Sequence, residues 1–209
     1  MNEFTLDSLL VGVPEPVANM QLPDPNLRDF YRDEEERTYW LNDVVGEETL
    51  DIVKMIVRCN RADKDKPVEE RKPIKIMIDS PGGEVQTMFA VIKAIEMSKT
   101  PVYTIVYCNA MSAAAEILAA GHKRYAMPGT CIMVHSGGVG YSGTVEQVES
   151  QKKYTDALNK KTTETFLKNT KIDAKTLKKK GASDWFMSED EALEYGIVDE
   201  IVTDIDLVF

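Results

Sequence analysis

The chain has 209 residues, 43% of them hydrophobic and 29% charged, enough for one domain with a sizeable core. Its formal net charge of -10 argues against a general nucleic-acid binder. Cys59, Cys108 and Cys131 are odd in number, widely spaced and without a CxxC, which excludes a disulfide framework or a zinc site and fits a reducing compartment. The opening MNEFTLDSLLVGVPEP has no basic leader region, and no apolar stretch approaches the ~20 residues of a membrane span. The expectation is a cytoplasmic chain with no membrane or nucleic-acid partner.

Residues 1–37 carry Pro14, Pro16, Pro23 and Pro25, so they read as an irregular arm in which RDFYRDEEER forms a short helix at most. The arm is expected over 1–28 and the domain over 29–209. RTYWL (37–41) reads as a strand. In 48–58, Leu50, Val53, Ile56 and Val57 recur at helical spacing. The charged stretch 59–73 with its two prolines reads as a solvated loop. IKIMI (74–78) is a buried strand ended by SPGG, and Val85, Met88, Phe89, Ile92 and Ile95 mark one apolar helix face. VYTIV (102–106) is a second buried strand, SAAAEILAA (112–120) a small-residue helix, and CIMV (131–134) a third central strand. Thr144 and Gln147 form a capping box for a long polar helix ending near Asn169. Asp173 caps a short helix ending at Gly181, Ser188 and Glu191 cap another that stops at Gly196, and DEIV closes the chain as a strand. This βαβα order gives an α/β fold with a largely parallel sheet, whose sites gather at the carboxyl ends of strands.

Three of those ends are followed by SPGG, CNAMS and HSGG. Nucleophilic serine chemistry needs a base in contact, an acid that orients the base, and backbone N–H donors for the oxyanion. Ser112 opens a helix, and the free N–H groups of that first turn can face a developing negative charge. Gly82 and Gly83 let a substrate backbone approach. His135 follows CIMV directly, and Asp184 lies in the loop GASDWF. Taken singly, each is ordinary: a cap, a turn, a polar strand end, a surface charge. No GxSxG is present, so the α/β-hydrolase reading is poor. The residues inform only as a set.

That set resembles the proteolytic subunit of the Clp protease, ClpP, over roughly residues 28–203. IDSPGGEV, the interval from Ser80 to Ser112, MPGTCIMVH, and DWFMSEDEALEYGIVDEIV occur in the family's order and register. The resemblance implies the ClpP/crotonase-like ββα spiral with a long handle helix over Val145–Asn169. It implies Ser112 as nucleophile, His135 as general base and Asp184 as its orienting acid, with the N–H groups of Gly83 and Ala113 as oxyanion donors. Substrate would add as a strand beside Gly82 and Gly83. It further implies a serine endopeptidase that works through an acyl-enzyme on unfolded polypeptides, with no metal or cofactor. The chain would assemble as a heptameric ring, two rings stacked, fed by an AAA+ ATPase unfoldase. Short peptides would be cut after apolar residues.

The chain departs from the family pattern at Cys108, at Ala113, at Ser136-Gly137 after the histidine, at Ser183 before the acid, in its arm and in the longer 59–73 stretch. These departures suggest a divergent member, phage-encoded or a second paralogue. Competing readings are a phage capsid-maturation protease of the same fold, an inactive ClpP-like scaffold subunit, and a crotonase-type acyl-CoA enzyme.

Overall fold

In the computed structural model, which describes residues 25–138 and 140–208, the apolar run at Ile74–Ser80 becomes the strand that the sheet is built around. Ile74, Ile76 and Ile78 face the main core and Met77 faces a second cluster with Ile105, Tyr125, Val202 and Val208. A strand covered on both faces reads as a continuous apolar run, which is why IKIMI shows no alternation. Most of the expected arm, residues 1–24, lies outside the described residues.

Seven strands make one sheet: β1 (Thr38–Leu41), β2 (Ile74–Ser80), β3 (Val102–Met111), β4 (Lys123–Ala126), β5 (Cys131–Val134), β6 (Trp185–Ser188) and β7 (Glu200–Ile201). The path runs β1-β2-β3-β4-β7, with β5 paired to β3 and β6 paired to β5. Every pairing is parallel except β5 with β6. The helices are α1 (Pro25–Glu36), α2 (Asp51–Ala62), α3 (Val85–Met97), α4 (Ala113–Ala120), α5 (Val145–Asn169), α6 (Ala174–Lys180) and α7 (Glu189–Glu194). The α/β expectation holds.

Helix α4, AAAEILAA, is rich in alanine because it is wedged deep in the core. Ala113, Ala114, Ala115, Ile117, Leu118, Ala119 and Ala120 are all buried. The Thr104 hydroxyl of β3 donates to the Leu118 carbonyl at 2.7 Å, pinning the end of α4 to the sheet. Helix α5 is different. Its capping box forms as expected, the Thr144 hydroxyl accepting from the Gln147 N–H and the Gln147 side chain accepting from the Thr144 N–H. Its buried residues are Thr162, Thr165 and Phe166, all near the carboxyl end, and Tyr154 is exposed. The whole 25-residue helix is about 37 Å long, and its remaining residues are exposed or half-buried.

Two expectations need correction. The short helix foreseen over RDFYRDEEER starts earlier, at Pro25, and ends at Glu36, because proline is tolerated in the first turn of a helix. The stretch 59–73 is only partly a loop. Its first residues continue α2 to Ala62, and Asp63 beyond them is fully buried.

Asp63 is buried because it is paired. Arg37 donates to it from both terminal guanidinium nitrogens, at 2.5 and 2.9 Å. The Thr100 hydroxyl donates to the same carboxylate at 3.2 Å, and Lys66 lies 3.3 Å away. This fork ties the end of α2 to the entry of β1. The Arg37 hydrogen bond holds the Asp63 carboxyl far below the usual carboxylate range, against the opposing effect of burial. A depressed folded-state pKa stabilises above the unfolded value, near 4, and that stability drains as pH falls below it. Removing one partner of a buried pair costs about 3–5 kcal/mol. Asp63→Asn is therefore expected to lose about that much in urea denaturation at neutral pH and fixed protein concentration. Its stability should also fall less steeply than the wild type's below about pH 4. A loss well under 1 kcal/mol would show that Arg37 finds another partner.

Candidate active site

Strands β3 and β5 end, and the antiparallel β6 begins, at one rim of the sheet, and their pairing places the chemistry. The parallel register Met111↔Met133 sets the end of β3 beside β5. The antiparallel register Val134↔Trp185 continues so that His135 falls opposite Asp184. His135 Nε2 lies 2.8 Å from Ser112 Oγ, and His135 Nδ1 lies 3.0 Å from Asp184 Oδ1. With Nδ1–H donating to the carboxylate, the lone pair of Nε2 is left to accept the Ser112 proton. The three residues expected from the sequence are brought together.

The backbone of Ser112 has φ 53 and ψ -121, a region that costs a non-glycine residue about 1–3 kcal/mol. Its N–H donates to the Met133 carbonyl of β5 at 2.7 Å, which holds the turn. An ordinary N-cap serine would accept from the first-turn N–H groups. Ser112 makes no such bond, and its hydroxyl goes to His135 instead.

Gly82 and Gly83 lie against this turn. Gly82 has φ 92, and a Cβ there would come within 2.5 Å of the Met111 carbonyl and 2.8 Å of the Ser112 Cβ. At Gly83 a Cβ would run into the Val45 carbonyl. Gly83 bridges Val45 in parallel fashion: the Val45 N–H donates to Gly82 and the Glu84 N–H donates to Val45, both at 2.8 Å. In a parallel ladder the bridging residue's own N–H and C=O point the other way, so those of Gly83 turn from Val45 toward the open side. Ala113 is the first residue of α4, and its N–H has no carbonyl within the helix to bond.

The other serines and histidine near these motifs have structural work. Ser80 is fully buried, its hydroxyl donating to the Asp43 carbonyl and accepting from the Gly82 N–H. Ser136 bonds the Gly181 carbonyl through both its N–H and its hydroxyl, at 2.7 and 2.8 Å. The altered Ser-Gly after the histidine is thereby anchored to the end of α6. His122 lies away from the site, its Nδ1 accepting from the Val102 N–H at 3.0 Å.

A cavity of about 430 Å³ opens beside Ser112 and His135, walled in part by Val85 and Met88 of α3 and by Thr162 and Phe166 of α5. Glu116, one turn along α4 from Ser112, also lines it. Sequence reasoning passed over Glu116, although a lone acid in SAAAEILAA was the visible signal. Among the described residues no group of His, Cys, Asp and Glu is arranged to hold a metal ion. No helix among them is long and apolar enough to cross a membrane.

The sequence matches the family model for Clp protease over residues 37–204. The chain belongs to the Clp protease family. It is also similar to the ATP-dependent Clp protease proteolytic subunit of Deinococcus radiodurans, with 34% identity over 142 residues, covering 67% of this chain and 68% of that protein. The divergent family membership expected from the sequence is thus borne out. The matched span runs from β1 to beyond β7 and includes Ser112, His135 and Asp184. None of the competing readings is favoured by either match.

Proposed function

We propose that this Clp protease family member is a serine endopeptidase that cuts unfolded polypeptides inside a self-formed chamber. The observation that carries the reading is the unbroken hydrogen-bond path from Asp184 through His135 to a serine held in a strained turn at the head of a helix. Ser112 Oγ attacks the scissile carbonyl carbon as its proton passes to His135 Nε2. The charge that develops on the carbonyl oxygen is met by the N–H groups of Gly83 and Ala113; each donor of this kind is worth about 2.7–4 kcal/mol. Collapse breaks the C–N bond, and the leaving amine takes the proton from His135. Water then attacks the acyl-enzyme with the same base, releasing the acid and restoring Ser112. Asp184 keeps the imidazole in the tautomer that accepts at Nε2.

The substrate adds as an extended strand along the free edge at Gly83, so its main chain supplies most of the binding and many sequences are accepted. Assembly into a heptameric ring, two rings stacked, is supported by α5. A long helix with a polar surface and little packing on its own domain needs a partner to hold it. The chain carries no GxxxxGK[ST], so the energy for unfolding substrates comes from a separate AAA+ ATPase in the cytoplasm.

A fluorophosphonate probe is expected to label Ser112, with the site mapped by mass spectrometry. Light scattering should show a mass many times the 23.5 kDa of one chain. The purified protein should cleave short peptides without ATP and leave a stably folded substrate intact until a matching unfoldase and ATP are added. Labelling at Ser80 or Ser136, a monomer under all conditions, or rapid digestion of a folded protein by this chain alone would each count against the proposal.

A further inference from the structure

Glu116 is an acid set where its surroundings give it nothing to bond. Its N–H donates to the Ser112 carbonyl at 3.3 Å, and residues four apart share a helix face, so both side chains look onto the same cavity. The carboxylate oxygen Oε2 is shut off from solvent and has no hydrogen-bond partner among the described residues. Buried polar atoms are nearly always bonded, so an unbonded one on a side chain that lines a cavity points to a partner that arrives through the cavity and that the carboxylate turns to meet. The walls around it are mixed: Val85, Met88, Val134 and Phe166 are apolar, while Asn159, Thr162 and Thr163 of α5 add uncharged polar groups. The other ionisable groups along the cavity are His135, engaged with Ser112 and Asp184, and the exposed Lys178 of α6. Helices α3 and α5 present no charged side chain to it. Burial pushes the Glu116 carboxyl up to about 7.

Resting on the reading of Ser112 as the nucleophile of a peptidase, we propose that Glu116 forms the floor of the pocket for the residue on the acyl side of the scissile bond and selects lysine or arginine there. That residue's side chain hangs from the carbon next to the carbonyl under attack, so it must enter the cavity beside Ser112. Four residues of helix separate Ser112 from Glu116 by about 6 Å along the axis, a depth suited to the long stem of Lys or Arg. The methylenes pack against the apolar walls and the charged head meets the carboxylate. A leucine in the same place leaves Oε2 as bare as it is now, or forces the acid to hold a proton.

The sign of the pH effect follows. A cationic side chain pairs with ionised Glu116, so kcat/KM for Lys and Arg substrates rises as pH climbs through about 7. A leucine substrate prefers the protonated acid and loses ground over the same range. Effects of pH on the chemical step that both substrates share cancel in the ratio of the two.

The test uses the full-length protein and matched fluorogenic peptides differing only at that residue, Lys, Arg, Met or Leu, from mildly acidic to mildly alkaline pH. In the wild type, Lys and Arg are expected to exceed Leu in kcat/KM by about 10- to 100-fold above neutrality, the gain of one charge-assisted hydrogen bond. The ratio should shrink as pH falls through about 7. Glu116→Gln should remove both the preference and its pH dependence, and Glu116→Leu should turn it toward Met and Leu. The wild-type ratio needs no variant to fold. Cleavage of the leucine peptide with no basic preference and a pH-independent ratio overturns this inference and leaves the peptidase reading standing. So does a basic preference that survives in Glu116→Gln. Absence of cleavage across the whole series overturns the peptidase reading and this inference with it.

Discussion

Ser112→Ala is expected to fold, assemble and lose peptide hydrolysis by on the order of 10⁶ in kcat, the loss seen when a triad nucleophile is removed elsewhere. The fold should tolerate the change because the Ser112 hydroxyl caps nothing and bonds only to His135. The unusual backbone of the turn is held by the N–H of Ser112, which alanine keeps. Fluorophosphonate labelling should vanish with the activity, while circular dichroism and the assembled mass should match the wild type. Residual labelling at another serine would show that the attacking hydroxyl lies elsewhere. Unfolding of the variant would show that Ser112 carries a structural load its hydrogen bonds do not reveal. In that case Ser112→Cys, which keeps a group able to meet His135, separates the two: a folded variant with little peptidase activity restores the assignment.

Asp184→Asn is expected to be nearly as severe, lowering kcat by about 10⁴. The carboxylate accepts from His135 Nδ1–H at 3.0 Å, whereas an amide can turn its NH₂ to the ring and favour the tautomer with its proton on Nε2. That imidazole faces Ser112 with a donor and cannot take its proton. KM for a short peptide should change little, because Asp184 touches the base and not the substrate. A rate near that of the wild type would mean that Ser112 and His135 work as a pair or that another acid orients the ring.

Much of this was legible beforehand because it rests on local chemistry. The capping boxes at Thr144 and Ser188 and the Asp173 cap are side-chain-to-backbone bonds within three residues, and all three form where the sequence puts them. The buried strands and the α3 face were legible because burial leaves an apolar pattern. The candidate set of Ser112, His135 and Asp184 was legible through three motifs and one interval in order, which carry spacing that no single residue does.

What stayed hidden depends on partners far along the chain. Lys123–Ala126 was not foreseen as a strand, and it becomes β4 because β3 offers an edge at Tyr103 to Val106. The expected second strand stopped at Val106, yet β3 runs on to Met111 because β5 pairs with its far end. Trp185 and Phe186, at the end of the expected loop GASDWF, open the strand β6 for the same reason. Asp63 reads as a solvated charge until Arg37, 26 residues earlier, is seen to fork onto it. Glu116 was hidden by its company, since a helix of alanines draws attention to packing and away from its one acid.

The pairing of β5 with two neighbours also limits how this chain can change length. Met133 fixes the turn of Ser112 through its carbonyl and sits two residues before His135, which in turn lies across from Asp184. The proposed nucleophile, base and acid are therefore all measured from one short piece of chain, 131–135. Side chains alternate between the faces of a sheet, so a single residue gained or lost there would swing the imidazole to the opposite face. The same gain in the turn before Cys131, or in the segment beyond Gly137, moves no member of the set relative to another. Drift in length can accumulate on either side of that segment, and lineages that alter the segment itself have to give up the chemistry or rebuild all three strand ends together.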